Sequence, residues 1–86
     1  MATNIVIPHT VLKKLNNLPK EIRIKFWEQL ERLTVNPSYP SLRNEKLVGT
    51  EQWVFSITMN YRATYIKSEM GIIIMAVGTH KEVLGN

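Results

Sequence analysis

The most apolar run in the chain, residues 72–77, constrains the fold more than any other segment. It lies between two glycines, Gly71 and Gly78, and its length and Ile-rich composition are typical of a buried strand. His80 follows the second glycine by two residues, so the sequence predicts a histidine at the tip of a central strand. A strand this apolar must be covered by other elements, which the remaining segments have to supply.

Size and composition restrict the class of protein. The chain has 86 residues, 44% of them hydrophobic, which predicts one small domain over residues 1–86. It contains no cysteine, so disulfides and thiolate chemistry are excluded. Its apolar runs are too short for a membrane span and its first residues do not resemble a signal peptide, so we expect a cytoplasmic protein. Aspartate is absent and only two histidines occur, so we expect neither a metal nor a cofactor, while the net charge of +4 favours an anionic partner.

The first half of the chain has helical periodicity after a short β-branched strand at residues 5–7. Apolar residues recur at helical spacing over residues 9–17, and Pro19 ends that helix and opens the next. In the second helix one apolar stripe is formed by Ile22, Phe26, Leu30 and Leu33. The two helices are predicted to form a hairpin.

The second half alternates with a period of two, after a proline-containing linker at residues 36–41. Residues 42–48 predict an edge strand, and residues 53–59 a strand with Trp53, Phe55, Ile57 and Met59 on one apolar face. Asn60 marks a tight turn, and residues 61–67 are predicted to form the second strand of the hairpin. The sequence thus predicts an α+β fold of order β-α-α-β-β-β, with a helical hairpin packed on one face of a small, mostly antiparallel, twisted sheet. The other face is expected to be open to a ligand.

The order and spacing of several short motifs add a family resemblance. These motifs are Pro40-Ser41-Leu42-Arg43, Lys46-Leu47, Gly49, Trp53, Ser56, Tyr61-Arg62-Ala63 and Gly78-Thr79-His80. With them the chain resembles the RelE/ParE superfamily, the toxins of bacterial type II toxin–antitoxin pairs. The resemblance implies a microbial-RNase-like fold of the same β-α-α-β-β-β order. It also implies an antitoxin protein as partner.

Three residues are the predicted catalytic set. Arg62 offers a fork of donors that fits phosphate oxygens, and the resemblance implies a functional arginine there. His80 can move protons near neutral pH, and Glu82 is a possible general base beside it. Each has an ordinary alternative: an arginine on the wet face of a sheet, a histidine at a helix cap and a solvent-facing glutamate.

The predicted RNA-binding residues are Arg43, Lys46, Ser56 and Lys81. Arg43 and Lys46 precede the hairpin and can face the same surface, or they are charges that protect an edge strand. Ser56 is expected on the face opposite the apolar one, where it could bind a phosphate or simply be exposed.

The resemblance implies more than one activity. RelE-like members are endoribonucleases (mRNA interferases) that act on ribosome-bound mRNA, whereas ParE-like members inhibit DNA gyrase. Many active members carry a tyrosine a few residues after the histidine, but here residues 82–84 read Glu-Val-Leu, and the first hairpin strand lacks the lysines of some nucleases. The resemblance to RelE leads us to expect a toxin that is a metal-free endoribonuclease, although the missing tyrosine favours a non-enzymatic one. The alternatives are a gyrase inhibitor or a weakened relative that only binds its antitoxin.

Overall fold

The computed structural model describes residues 4–85, and within them three helices pack on a five-stranded sheet. The elements in chain order are β1 (Asn4–Val6), α1 (His9–Asn16), α2 (Lys20–Val35), a 3₁₀ turn (Pro40–Leu42), β2 (Glu45–Lys46), β3 (Gln52–Ser56), β4 (Tyr61–Ser68), β5 (Gly71–Thr79) and α3 (His80–Leu84). The predicted fold class and the order of its principal elements are confirmed. No helix within this part of the chain is long and apolar enough to cross a bilayer.

The strand order in the sheet is β1-β5-β4-β3-β2. Strands β2 to β5 pair antiparallel along the chain, and β1 pairs parallel with the start of β5. The apolar run predicted to be central lies in β5, between β1 and β4. This arrangement explains the apolar character of the run in part, since Ile72, Ile74 and Val77 are buried in the core.

Prolines set the starts of both long helices. The carbonyl of Pro8 accepts a hydrogen bond from Leu12 N (2.9 Å), and that of Pro19 accepts from Ile22 N (3.0 Å) and Arg23 N (3.1 Å). Proline suits these positions because its fixed φ matches the helix entry and it has no N–H to leave unpaired.

The predicted stripe of α2 forms the centre of the core. Phe26, Leu30 and Leu33 are buried, and Phe26 lies 6.1 Å from Phe55 of β3 between ring centroids. The rest of the core cluster comes from α1, the 3₁₀ turn and the same sheet face: Val11, Leu15, Leu42, Ile57, Ala63, Tyr65, Ile72, Ile74 and Val77. Burying this many apolar side chains is the main favourable contribution to folding.

The edge strand predicted over residues 42–48 is mostly wrong. The chain instead makes the 3₁₀ turn, and only Glu45–Lys46 pairs with β3. The extended path is broken at Arg43, whose φ of 48° and ψ of 41° are left-handed. Leu42 is also fully buried in the core, so this stretch turns inward rather than running along the edge.

Two further expectations about the sheet are corrected. Met59 is 80% exposed and not part of the apolar face, because β3 ends at Ser56 and a turn begins. The sheet face opposite the core cluster is only partly open, since Val54 and Thr64 on it are buried and α3 packs against β4 and β5. This face is therefore less accessible to a ligand than the sequence indicated.

Gly71 generates a stability prediction. Its φ is 150°, and a Cβ built there would lie 1.9 Å from the carbonyl oxygen of Asn4, the residue it pairs with. Gly71→Ala should therefore lower the free energy of unfolding by roughly 2–4 kcal/mol, measured by urea denaturation.

Gly49→Ala is the matched control for that measurement. Gly49 also has a positive φ, 78°, but no atom lies within 4 Å of the position its Cβ would take. Only the backbone penalty applies, about 1–2 kcal/mol. Equal losses in the two variants would show that the contact with Asn4 does not constrain the fold.

Candidate nucleic-acid interface

The turn over residues 57–60, which joins β3 to β4, fixes the side chain of Arg62. Nη1 of Arg62 donates hydrogen bonds to the carbonyls of Thr58 (2.5 Å), Met59 (2.8 Å) and Tyr61 (3.1 Å). Within residues 4–85 all the hydrogen bonds of this guanidinium start from Nη1, so Nε and Nη2 remain available to an anion. The donor fork is thus held in place before a ligand arrives.

Beside this turn lies a cleft of about 250 Å³ that we call the basic groove. Its lining residues are Lys25 and Gln29 of α2, Ser41 and Arg43 at the 3₁₀ turn, Ser56 of β3, Ile57, Thr58 and Met59 of the turn, and Arg62 of β4. Among the described residues, three cations and no carboxylate contribute to this lining. A groove of this composition attracts anions.

The two arginines of the groove lie close enough to influence each other. Partial burial lowers the pKa of Arg62, and the positive charge of Arg43 lowers it further. Arg62 still carries its charge at neutral pH, because the guanidinium of arginine is protonated there even when its pKa is lowered. Among the described residues no carboxylate lines the groove to offset these two like charges, and an anion bound between them would relieve their repulsion.

Arg43 adopts an unusual backbone conformation. Within residues 4–85 it is the only non-glycine residue with a positive φ. Its N–H donates to the carbonyl of Pro40 (3.3 Å), so it closes the 3₁₀ turn, and the neighbouring Leu42 anchors the turn in the core. Strained residues of this kind are concentrated at ligand sites, where the surrounding structure holds them.

Three of the predicted site residues meet in the groove: Arg43, Ser56 and Arg62. The register pairs Ser56 with Arg62, which explains how two distant sequence positions become neighbours. Ser56 is only 6% exposed, however, so the expectation of an ordinary exposed strand serine is wrong. Its carbonyl accepts a hydrogen bond from Gln29, which ties β3 to α2.

Lys46 and His80 lie outside the lining of the groove. Lys46 is exposed on β2 and lines a separate cleft formed by residues 46–51. His80 is the first residue of α3, and its main-chain N–H donates to the carbonyl of Asn60 (2.9 Å). The histidine backbone is therefore attached to the same β3–β4 turn that holds Arg62.

Glu82 and its neighbour Lys81 belong to α3. A capping box joins Thr79 and Glu82, with Thr79 N donating to Oε1 (3.0 Å) and Glu82 N donating to Thr79 Oγ1 (3.2 Å). Lys14 Nζ of α1 donates to Glu82 Oε2 (2.7 Å). The bond from Lys14, followed by those from Thr79, lowers the pKa of Glu82 to about 2. So weak a base is poorly suited to accept a proton at neutral pH, and Lys81 is exposed on the same short helix.

Sequence reasoning missed Lys25 and Gln29. A signal for Gln29 was present, because it lies three residues after Phe26 and four before Leu33, on the apolar stripe of α2. A polar residue at a core-facing position needs buried hydrogen-bond partners, and such partners often belong to a site. Lys25 gives no comparable signal, since a helical lysine beside a stripe is usually solvated.

Comparison with known proteins rests on structure alone, since no protein-family model and no curated protein matches the chain. The archaeal RelE–RelB complex from Pyrococcus horikoshii OT3 matches with a TM-score of 0.76 at 25% identity, over 92% of this chain and 96% of that one. This chain has the RelE/ParE toxin fold. The Staphylococcus aureus YoeB–YefM complex matches with a TM-score of 0.74 at 20% identity, over 93% and 99% of the two chains. The YoeB/ParE toxin from Agrobacterium tumefaciens matches with a TM-score of 0.75 at 15% identity, over 91% and 99%.

The RelE/ParE fold confirms the resemblance inferred from the motifs. The coverage also shows that the fold extends over almost the whole described chain and over almost the whole of each matched toxin. The motifs near the 3₁₀ turn, the β3–β4 hairpin and the end of β5 were therefore informative about architecture. Their chemistry in this chain is a separate question.

The contacts of Glu82 predict an acid-sensitive stability. Its pKa in the folded protein lies below the ordinary value of 4.5, so the carboxylate stabilises the fold above pH 4.5 and that stabilisation is lost as the pH falls towards 2. Glu82→Gln should reduce stability at neutral pH and flatten this part of the pH profile, measured by urea unfolding between neutral pH and about pH 2.

Lys14→Met is the control, because it removes the ion pair and leaves the capping box intact. Lys14→Met should retain part of the pH dependence of the free energy of unfolding that Glu82→Gln loses. If Glu82→Gln unfolds with the same pH profile as the parent protein, the contacts described for Glu82 do not form in solution.

Proposed function

We propose that this protein is the toxin of a type II toxin–antitoxin pair and that its basic groove binds the phosphate backbone of RNA. The observation that carries the proposal is the convergence of Arg43, Arg62 and Lys25 on one groove without an acidic residue in its lining. RNA suits such a groove because phosphate contacts supply most of the sequence-independent affinity for nucleic acids. The shared fold of the RelE and YoeB toxins supports the toxin assignment.

The chemistry we propose is RNA cleavage with no metal required. The 2′-oxygen of the ribose attacks the adjacent phosphorus, and the bond from phosphorus to the 5′-oxygen breaks, which leaves a 2′,3′-cyclic phosphate and a 5′-hydroxyl. The negative charge that develops on the phosphoryl oxygens is stabilised by Arg62 and Arg43. His80 accepts the proton of the 2′-hydroxyl or donates one to the 5′-oxygen, and water exchanges the other proton. Glu82 has no role in this scheme, because its carboxylate is held in the capping box and the ion pair.

A second function is favoured by one observation. Within the described part of the chain, neither a histidine nor a carboxylate lines the groove, so proton transfer would depend on His80 reaching it from α3. Under this alternative the groove binds its target without cleaving it, as in a gyrase inhibitor of the ParE type or a relative that binds only its antitoxin. His80 is then unimportant for toxicity, whereas the groove arginines remain important.

The proposed partner is an antitoxin protein. The matched RelE and YoeB structures are complexes with RelB and YefM, respectively. An antitoxin with an acidic segment would find complementary charge in the basic groove, and the net charge of +4 would speed the encounter. The proposal places both proteins in the cytoplasm, where messenger RNA is translated.

The groove is tested by charge-matched variants. Arg43→Gln should weaken binding to a short single-stranded RNA about tenfold and reduce the salt dependence by about one counterion. Lys46→Gln removes the same charge from a site outside the groove and should change affinity less than about twofold. Fluorescence anisotropy at several salt concentrations measures both, and a larger effect of Lys46→Gln would contradict the assignment of the groove.

The role of His80 separates the two functions. If the protein cleaves RNA, His80→Ala should abolish growth arrest and remove the cut ends from mapped transcripts, while RNA affinity and the thermal unfolding midpoint stay close to those of the parent protein. If it inhibits gyrase instead, induced cells should show uncut transcripts and the purified protein should block DNA supercoiling. Full RNA cleavage by His80→Ala would eliminate the proposed proton transfer.

A further inference from the structure

Gln29 is a buried polar residue in the middle of α2. Its side chain is 1% exposed, and it occupies a core-facing position between Phe26 and Leu33. Burying an amide in such a place costs free energy unless its polar atoms are paired. Its partners therefore indicate what the residue contributes.

The amide of Gln29 makes four hydrogen bonds: its nitrogen donates two and its oxygen accepts two. Nε2 donates to the carbonyls of Ser56 (2.9 Å) and Ser41 (3.2 Å). Oε1 accepts from Arg32 Nη1 (2.8 Å) and from Ser41 Oγ (3.3 Å). Because an amide has two donors and two acceptor sites, its capacity is fully used.

These bonds connect the two parts of the chain that carry the groove arginines. Ser41 lies in the 3₁₀ turn, two residues before Arg43, and Ser56 is the last residue of β3, paired in register with Arg62. Gln29 therefore links the turn that carries one arginine, which Leu42 also anchors in the core, to the strand pair that carries the other.

Two effects oppose the arrangement that Gln29 holds. Arg43 has a strained left-handed backbone, and its charge repels that of Arg62. Without the hydrogen bonds of Gln29, the 3₁₀ turn could move away from β3. That movement would relieve the backbone strain of Arg43 and the repulsion between the two arginines. The amide network is thus placed where it can keep two guanidiniums near each other in the absence of a ligand.

We propose that Gln29 is a positioning residue that holds Arg43 and Arg62 as a clamp for a single phosphate group. The inference rests on the proposed function, because it specifies how the groove binds the RNA backbone. It differs from a purely structural role, since it requires that the contribution of Arg43 to RNA binding depend on Gln29.

A double-mutant cycle tests this dependence, with a short single-stranded RNA and inorganic phosphate as the two probes. Gln29→Met has similar length and apolar character but makes none of the four hydrogen bonds. Arg43→Gln should lower affinity for either probe about tenfold in the parent protein. In the Gln29→Met background the same change should lower it less than about twofold, because Arg43 no longer shares the phosphate with Arg62.

Lys25 provides the matched control cycle. It lines the same groove but lies on α2 itself, so its position does not depend on the bonds from Gln29 to the turn and β3. Lys25→Gln should therefore cause the same fold-loss in RNA affinity with or without Gln29. If Gln29→Met only disturbs the structure, the fold-losses caused by Arg43→Gln and by Lys25→Gln should shrink alike. If Gln29 positions Arg43, only the fold-loss caused by Arg43→Gln should shrink.

Ser41→Ala covers the case in which Gln29→Met fails to fold. It removes one hydrogen bond of the network, from Ser41 Oγ to Gln29 Oε1. In this background the loss of affinity caused by Arg43→Gln should be smaller than in the parent protein but larger than in Gln29→Met. Equal effects of Arg43→Gln in all folded backgrounds would overturn the clamp and leave the RNA groove standing. If the parent protein binds neither probe, the proposed function fails and the clamp fails with it.

Discussion

The antiparallel pairing of β4 with β5 is the interaction on which the arrangement of the site depends. It sets Arg62 opposite Gly78 and Tyr61 opposite Thr79, and the bond from His80 N to Asn60 O continues the contact beyond the strands. The β3–β4 turn, which fixes the guanidinium of Arg62, thus lies beside the start of α3. β1 pairs only with the start of β5, so at the site it is the pairing with β4 that holds this geometry.

The principal elements of the fold were predictable because their apolar residues repeat at the periods of helix and strand. The apolar stripe of α2 and the apolar run in β5 both contribute buried side chains to the core, as the sequence indicated. The turn before β2 was not predictable, because arginine carries no preference for a left-handed backbone and the conformation of Arg43 is imposed by tertiary contacts. The partial covering of the second sheet face was missed because part of it depends on where α3 packs against β4 and β5.

Residues of the candidate site were predictable where the side chain has one common binding role, as arginine has for phosphate. Arg43 and Arg62 are cations suited to phosphate and do line one groove, although their functional role stays a prediction. Glu82 shows a motif that was overlooked, since Thr79 and Glu82 have the spacing of a capping box and this favours a helix start over a free base. Gln29 and Lys25 could not be assigned to the groove, because their location follows from how α2 lies against the sheet.

The parallel pairing of β1 with β5 has a consequence for how the chain acquires its structure. Asn4 meets Gly71, so this contact closes a loop that contains most of the chain, whereas the β3–β4–β5 meander joins near neighbours. Contacts between distant segments form slowly, because closing a long loop costs entropy before any contact repays it. During synthesis the N-terminal strand must also wait for its partner to leave the ribosome. The sheet is therefore completed only after residues 71–73 have left the ribosome.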